Sequence, residues 1–135
     1  MFAAINKTHE EVVSAVSDAI HDALVRNAER MKTPPPPGGI QDFGVDVCEV
    51  DGLVQIDMTA TCRATPGPDG WISIFMLTEH AKEVDRLADT VRELLYKKLS
   101  LGAVTTHQGS VSLRRITKRA NGFLEVCCSV RFTIG

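Results

Sequence analysis

The stretch FGVDVCEVDGLVQIDMTA, residues 43–60, alternates apolar and polar side chains on either side of Asp51-Gly52, a dipeptide suited to the tightest β-hairpin turn. Pairing Val50 with Leu53 across that turn sets Val47 opposite Ile56, Val45 opposite Met58 and Phe43 opposite Ala60, so one face is apolar. The same register places Asp46 directly opposite Asp57 on the other face. Like charges facing across strands destabilise a sheet by a few tenths of a kcal/mol, roughly, unless something compensates. Three environments meet that need: water, an Arg or Lys from a neighbouring subunit, or a bound cation.

Asn121-Gly122 repeats the signal near the C-terminus. A two-residue turn there pairs Ala120 with Phe123, sets Leu113 opposite Val130 and Val111 opposite Phe132, and continues an apolar stripe through Leu124, Val126, Cys128, Val130, Phe132 and Ile134. Near the tip this register turns the stripe toward Arg115, Thr117 and Arg119, while Ile116 meets Cys127. Either the tip projects beyond the body, or a β-bulge near Arg114-Arg115 shifts the register and restores an amphipathic strand.

Outward from the hairpins the elements are helical. Thr8 and Glu11 are spaced as a capping box, and Val12, Val13, Val16, Ala19, Ile20, Ala23 and Leu24 recur at helical intervals, predicting a helix over about 8–32. Pro34 to Pro37 followed by Gly38-Gly39 cannot continue a helix, so 33–41 reads as a stiff spacer with a flexible joint. After a turn at Pro66 to Gly70, the run Trp71 to Leu77 is apolar apart from Ser73 and predicts a third strand, central or in a subunit contact. Thr78 then caps a second helix with the stripe Ala81, Val84, Leu87, Ala88, Val91, Leu94, Leu95 and Leu99, ending at Gly102. A connection over Ser100 to Gly109 leads to the second hairpin.

This order predicts an α+β fold: helix, three-strand antiparallel meander, helix and C-terminal β-hairpin, with both helices on one sheet face. At 135 residues and 44% hydrophobic composition, residues 1–135 form a single domain with its body over 42–135 and its C-terminal hairpin over 110–135. The N-terminus lacks signal-peptide order and no apolar run approaches a membrane span, which predicts a soluble protein made in the cytoplasm, with no membrane partner. Cys48, Cys62, Cys127 and Cys128 have no CxxC spacing and read as reduced thiols, partly in the core, in preference to a disulfide framework or a zinc site.

The net charge of −2 is unevenly divided. Residues 110–135 carry Arg114, Arg115, Lys118, Arg119 and Arg131 against Glu125 alone, a local excess of +4 that leaves −6 for the other 109 residues. A basic hairpin grips phosphates, yet this one lacks interleaved exposed aromatics and the remaining acidic chain repels DNA. Self-association of a basic hairpin with an acidic neighbour uses both halves of the asymmetry.

Enzymatic constellations are sparse. Asp18, His21 and Asp22 share a helical face at a spacing suited to a divalent metal, without a complementary ligand cluster elsewhere. His9, His80 and His107 have no recognisable nucleophile arrangement, and there is no P-loop, GxGxxG or GxSxG. No catalytic residue, metal site or cofactor is therefore assigned.

The order of elements, the size, the long C-terminal hairpin and the last strand ending in Val130-Arg131-Phe132-Thr133-Ile134 resemble the tail terminator proteins of tailed bacteriophages, and more loosely related neck and tail-completion proteins. The resemblance covers nearly the whole chain and is architectural. It implies a non-enzymatic virion protein, assembled in the host cytoplasm. Its subunits would form a ring, commonly a hexamer, that caps the head-proximal end of the tail tube and contacts the tube protein and a neck or head-completion protein. In such a ring Arg114, Arg115, Lys118, Arg119 and Arg131 are expected as donors at the subunit or partner interface and Asp42, Asp46 and Asp57 as acceptors. A nucleic-acid-binding module built on the basic hairpin is the alternative, with a small metal-dependent enzyme behind it.

Overall fold

The computed structural model describes residues 8–30, 40, 42–51, 53–99 and 106–134. It has the α+β class, with α1 (His9–Arg30), β1 (Asp42–Val50), β2 (Leu53–Ala64), α2 (Ile74–Lys98), β3 (Thr106–Gln108), β4 (Ser112–Lys118) and β5 (Leu124–Ile134). The sheet is antiparallel in the order β1-β2-β5, and β3 and β4 share the outer side of β5. Both helices cover one face. From that face the even-numbered residues of β2 and β5 meet α1 and α2 in one core, and Ile56, Met58, Val126, Phe132 and Ile134 have lost essentially all solvent contact.

The first hairpin has the expected register, Val50 with Leu53 through Phe43 with Ala60, and Asp51 takes the positive φ of 52° that its tight turn requires. Its apolar face is only partly covered: Val45 and Val47 pack against the core while Phe43 stays exposed at the sheet's edge. The Thr8 hydroxyl accepts from the Glu11 amide at 3.1 Å, so α1 starts where the capping signal places it. The spacer over 33–41, apart from Ile40, and the helix-ending Gly102 lie outside the described residues.

The third strand of the meander does not form. Trp71 to Ser73 are irregular and Ile74-Phe75-Met76-Leu77 is the first turn of α2, which therefore starts four residues before Thr78. Ser73 is the cap: at φ −74° and ψ 151° its hydroxyl accepts from the Met76 amide at 3.2 Å. A short apolar run does not distinguish a buried strand from a helical turn by periodicity, and here the place beside β2 is taken by β5 along eleven residue pairs. The connection after α2 also contributes a strand, β3, beside the end of β5.

The second hairpin departs from a two-residue turn. The Arg119 amide donates to the Phe123 carbonyl at 2.9 Å and the Gly122 amide to the Arg119 carbonyl at 3.0 Å, with Gly122 at φ 85°. These bonds close a three-residue loop that moves β4 by one position and seats Ile116 beside Val126 in place of Cys127. The two-residue register would have pressed Arg115, Thr117 and Arg119 onto the buried stripe. A bulge between Leu113 and Arg115 then shifts the pairing by one further position, so that Leu113 faces Cys128 in place of the expected Val130, and the bulged alternative is the one adopted. The tip does not project, because the twelve-residue β2 accompanies β5 until Ala64 pairs with Leu124.

Candidate interaction surface

The sheet face away from the helices is open and polar. Across it runs the row Asp46, Asp57, Arg131, contributed by β1, β2 and β5 in direct register. Arg131 Nε donates to Asp57 Oδ1 at 2.6 Å and its Nη2 donates to Oδ2 at 3.3 Å. The opposed carboxylates therefore have a cation from their own chain, and Asp57 with Arg131 is an intramolecular pair. The hydrogen bond from Arg131 to Asp57 further raises the arginine's already high pKa. Beside this row lies a concavity of about 590 Å³, whose lining includes Asp46, Thr59, Arg114 and Ser129 as well as the ion pair. The β4 bulge is what brings Arg114 to it, and Gly44 permits the close packing there: a Cβ at that position would come within 2.9 Å of Thr59 Oγ1.

A second charged group occupies the end of the sheet formed by the β4–β5 turn and the last residues of β2. Arg119 Nη2 donates to Glu125 Oε2 at 2.6 Å, and this hydrogen bond, with the charges of Arg63 and Arg115, holds the Glu125 carboxyl below the usual carboxylate range. Arg63 stands opposite Glu125 in the ladder, and its guanidinium lies 5.0 Å from the centroid of the Phe123 ring, a cation–π contact. Lys118 is exposed at the same end. One carboxylate thus faces several cations, and the end remains basic. Arg63 is absent from the sequence-based donor set; the small even-numbered residues Ala60, Cys62 and Ala64 were the signal that β2 continues far enough to present it.

The opposite end is acidic. Residues 42–62 contain Asp42, Asp46, Glu49, Asp51 and Asp57 and no Lys or Arg. Glu49 and Asp51 are exposed at the β1–β2 turn, whereas Asp42, opposite Thr61 in the ladder, lies toward the basic end, where one of its oxygens accepts from the Phe43 amide at 2.8 Å. Because β2 and β5 are antiparallel with Val54 beside Ile134 and Ala64 beside Leu124, the acidic turn and the basic turn point in opposite directions. The eight residues singled out in the sequence thus fall into an internal pair, Asp57 with Arg131, two residues that line the open-face concavity, Asp46 and Arg114, and four charges toward the basic end, Asp42, Arg115, Lys118 and Arg119.

Helix-borne candidates are used structurally. Asp22 accepts from Lys98 Nζ at 3.0 Å, joining α1 to α2, and among the described residues no group of three or more His, Cys, Asp or Glu side chains is arranged to hold a metal. His80 is fully buried with Nε2 3.3 Å from the Ala60 carbonyl oxygen, tying α2 to β2. Burial pushes the Cys62 thiol up to about 12 and the Cys128 thiol to about 11, so neither is an activated nucleophile. No described helix is long and apolar enough to cross a membrane. No protein-family model and no curated protein matches the sequence.

Proposed function

We propose that this chain is a self-assembling structural protein that forms a closed ring by contacts between its basic and acidic ends. One observation carries the reading: two hairpins of opposite charge point in opposite directions from a single sheet. Surfaces that are complementary to each other and not to themselves make heterologous contacts, which close into rings when the rotation between neighbours allows it. Arg115, Lys118 and Arg119, joined by Arg63, are the donors toward a neighbour's Asp46, Glu49 and Asp51; Asp57 and Arg131 stabilise the sheet within each subunit. The architectural resemblance gives such a ring its place, as a tail terminator at the head-proximal end of a phage tail tube. The ring would be hexameric and sit in the virion between the tube protein and a neck protein.

Charge reversal tests this directly. Arg115→Glu with Arg119→Glu weakens self-association by at least about tenfold, as read by sedimentation velocity, while the circular dichroism spectrum is retained. Unchanged assembly rejects the electrostatic contact. The gathering of Arg63, Arg115, Lys118 and Arg119 favours a second reading, binding to nucleic acid. Four phosphate contacts give a slope of about −3 to −4 in log affinity against log salt, so a flat or absent DNA-binding curve dismisses it.

A further inference from the structure

The basic end also carries the largest apolar exposure among the described residues. Trp71, Ile74 and Phe75 retain 56%, 83% and 64% of their accessible surface. Single exposed apolar side chains are ordinary, but three within five residues, two of them aromatic, make a patch of the composition found at interface centres. Its position follows from the chain path. The chain leaves β2 at Ala64, beside the β4–β5 turn, and α2 runs back over the sheet with His80 above Ala60. At 1.5 Å per residue, the first turn of α2 lies about 9 Å beyond His80 toward that end. The patch therefore neighbours the end that presents Arg63, Lys118 and Arg119.

The acidic end has a matching shape and chemistry. Val50 and Leu53 are cross-strand partners flanking the tight turn and remain 43% and 41% exposed, with Glu49 and Asp51 beside them. We infer that the Trp71, Ile74 and Phe75 patch receives the β1–β2 turn of a second copy of this chain. Val50 and Leu53 enter the apolar centre, and Glu49 and Asp51 face Arg63, Lys118 and Arg119. Charge complementarity selects this occupant: Arg63, Lys118 and Arg119 at the neighbouring strand ends attract an acidic turn and repel a basic one, and they outnumber Asp69, which accepts from the Trp71 amide. The two surfaces lie roughly 30 Å apart, seven residue steps of β2 from Leu53 to Ala60 and a further turn and a half of helix, so one molecule does not satisfy both itself. This inference rests on the ring reading and adds the apolar centre of its contact; the charges around it set register and association rate.

The test uses full-length chains in a Cys48→Ser background, which removes the exposed native thiol. Chains carrying Leu53→Cys and chains carrying Phe75→Cys are mixed and oxidised, and disulfide-linked dimers are separated by mass. The contact predicts hybrid dimers in the mixture, with few dimers from either variant alone. In parallel, Ile74→Glu with Phe75→Glu, both at exposed sites, weakens assembly at least about 30-fold by light scattering without loss of helix or strand signal. Assembly that persists in the double Glu variant, with no hybrid cross-link, overturns the apolar centre and leaves the charged ring reading standing. A wild-type chain that stays monomeric at every concentration and salt overturns both.

Discussion

Asp46 and Asp57 illustrate how one side chain decides whether a local conflict is a defect or a feature. Alone they are an uncompensated like-charge pair; with Arg131 in the next strand the row across the open face ends in a cation that pairs with Asp57. The pairing was legible in the first hairpin, but its compensation was not, because Arg131 lies 74 residues from Asp57 and only the β2–β5 register brings them together. Removing Arg131 as Leu destabilises the fold mainly at low salt, and the loss shrinks when Asp57 is replaced by Asn; a double-mutant cycle in urea measures the coupling. The thiols make a second residue-scale prediction. With Cys48 exposed and Cys62, Cys127 and Cys128 buried, one thiol per chain reacts quickly with Ellman's reagent at pH 8 and the rest react on unfolding. Because burial raises Cys62 and Cys128 above their unfolded value of 9.0, their contribution to stability is complete below pH 9 and is lost as pH climbs through about 11 to 12. Two or more fast thiols in the folded protein would contradict the burial of the second hairpin.

At the level of elements, legibility followed the strength of the periodic signal and failed where two periods compete. The alternation around Asp51-Gly52 and the stripe of α1 each extend over enough residues to exclude the other period. Trp71 to Leu77 does not, since its continuous apolar character suits a strand as well as a helical turn, and the deciding atom is the Ser73 hydroxyl on the Met76 amide. Ser73→Ala therefore costs about 1 kcal/mol by chemical denaturation, whereas Thr78→Ala, inside the helix, changes stability by no more than about 0.5 kcal/mol. The reverse order would return the helix start to Thr78. The tip of the second hairpin was misread for a related reason: Asn-Gly serves both the two-residue turn and the three-residue loop, and the choice is made by the burial of Ile116 against Val126. Val126 is fully buried, so Val126→Asp costs about 4 kcal/mol or more and leaves little folded protein, as read by near-ultraviolet circular dichroism. A folded, soluble Val126→Asp chain would contradict the register of β5.

Across the whole molecule, polarity is the organising property. The antiparallel order sends the acidic β1–β2 turn one way and the basic β4–β5 turn the other, and each end adds exposed apolar side chains. The charge division was visible in the sequence because the two hairpins are contiguous segments. The apolar end was legible only in part, because the apolar run Trp71 to Leu77 reads as a strand, central or in a subunit contact, and the exposure of Trp71, Ile74 and Phe75 at the end of the molecule follows only from the start of α2 at Ile74. In the proposed ring such complementary ends, roughly 30 Å apart, meet through different surfaces on each copy, and salt is expected to weaken that contact by screening its rim. Mass by light scattering coupled to size exclusion, at low and high salt and with a candidate tail-tube protein, tests this claim most directly. A discrete ring-sized species is expected at low salt, alone or on the tube protein, shifting toward monomer as salt rises; a strict monomer in every condition would contradict the ring.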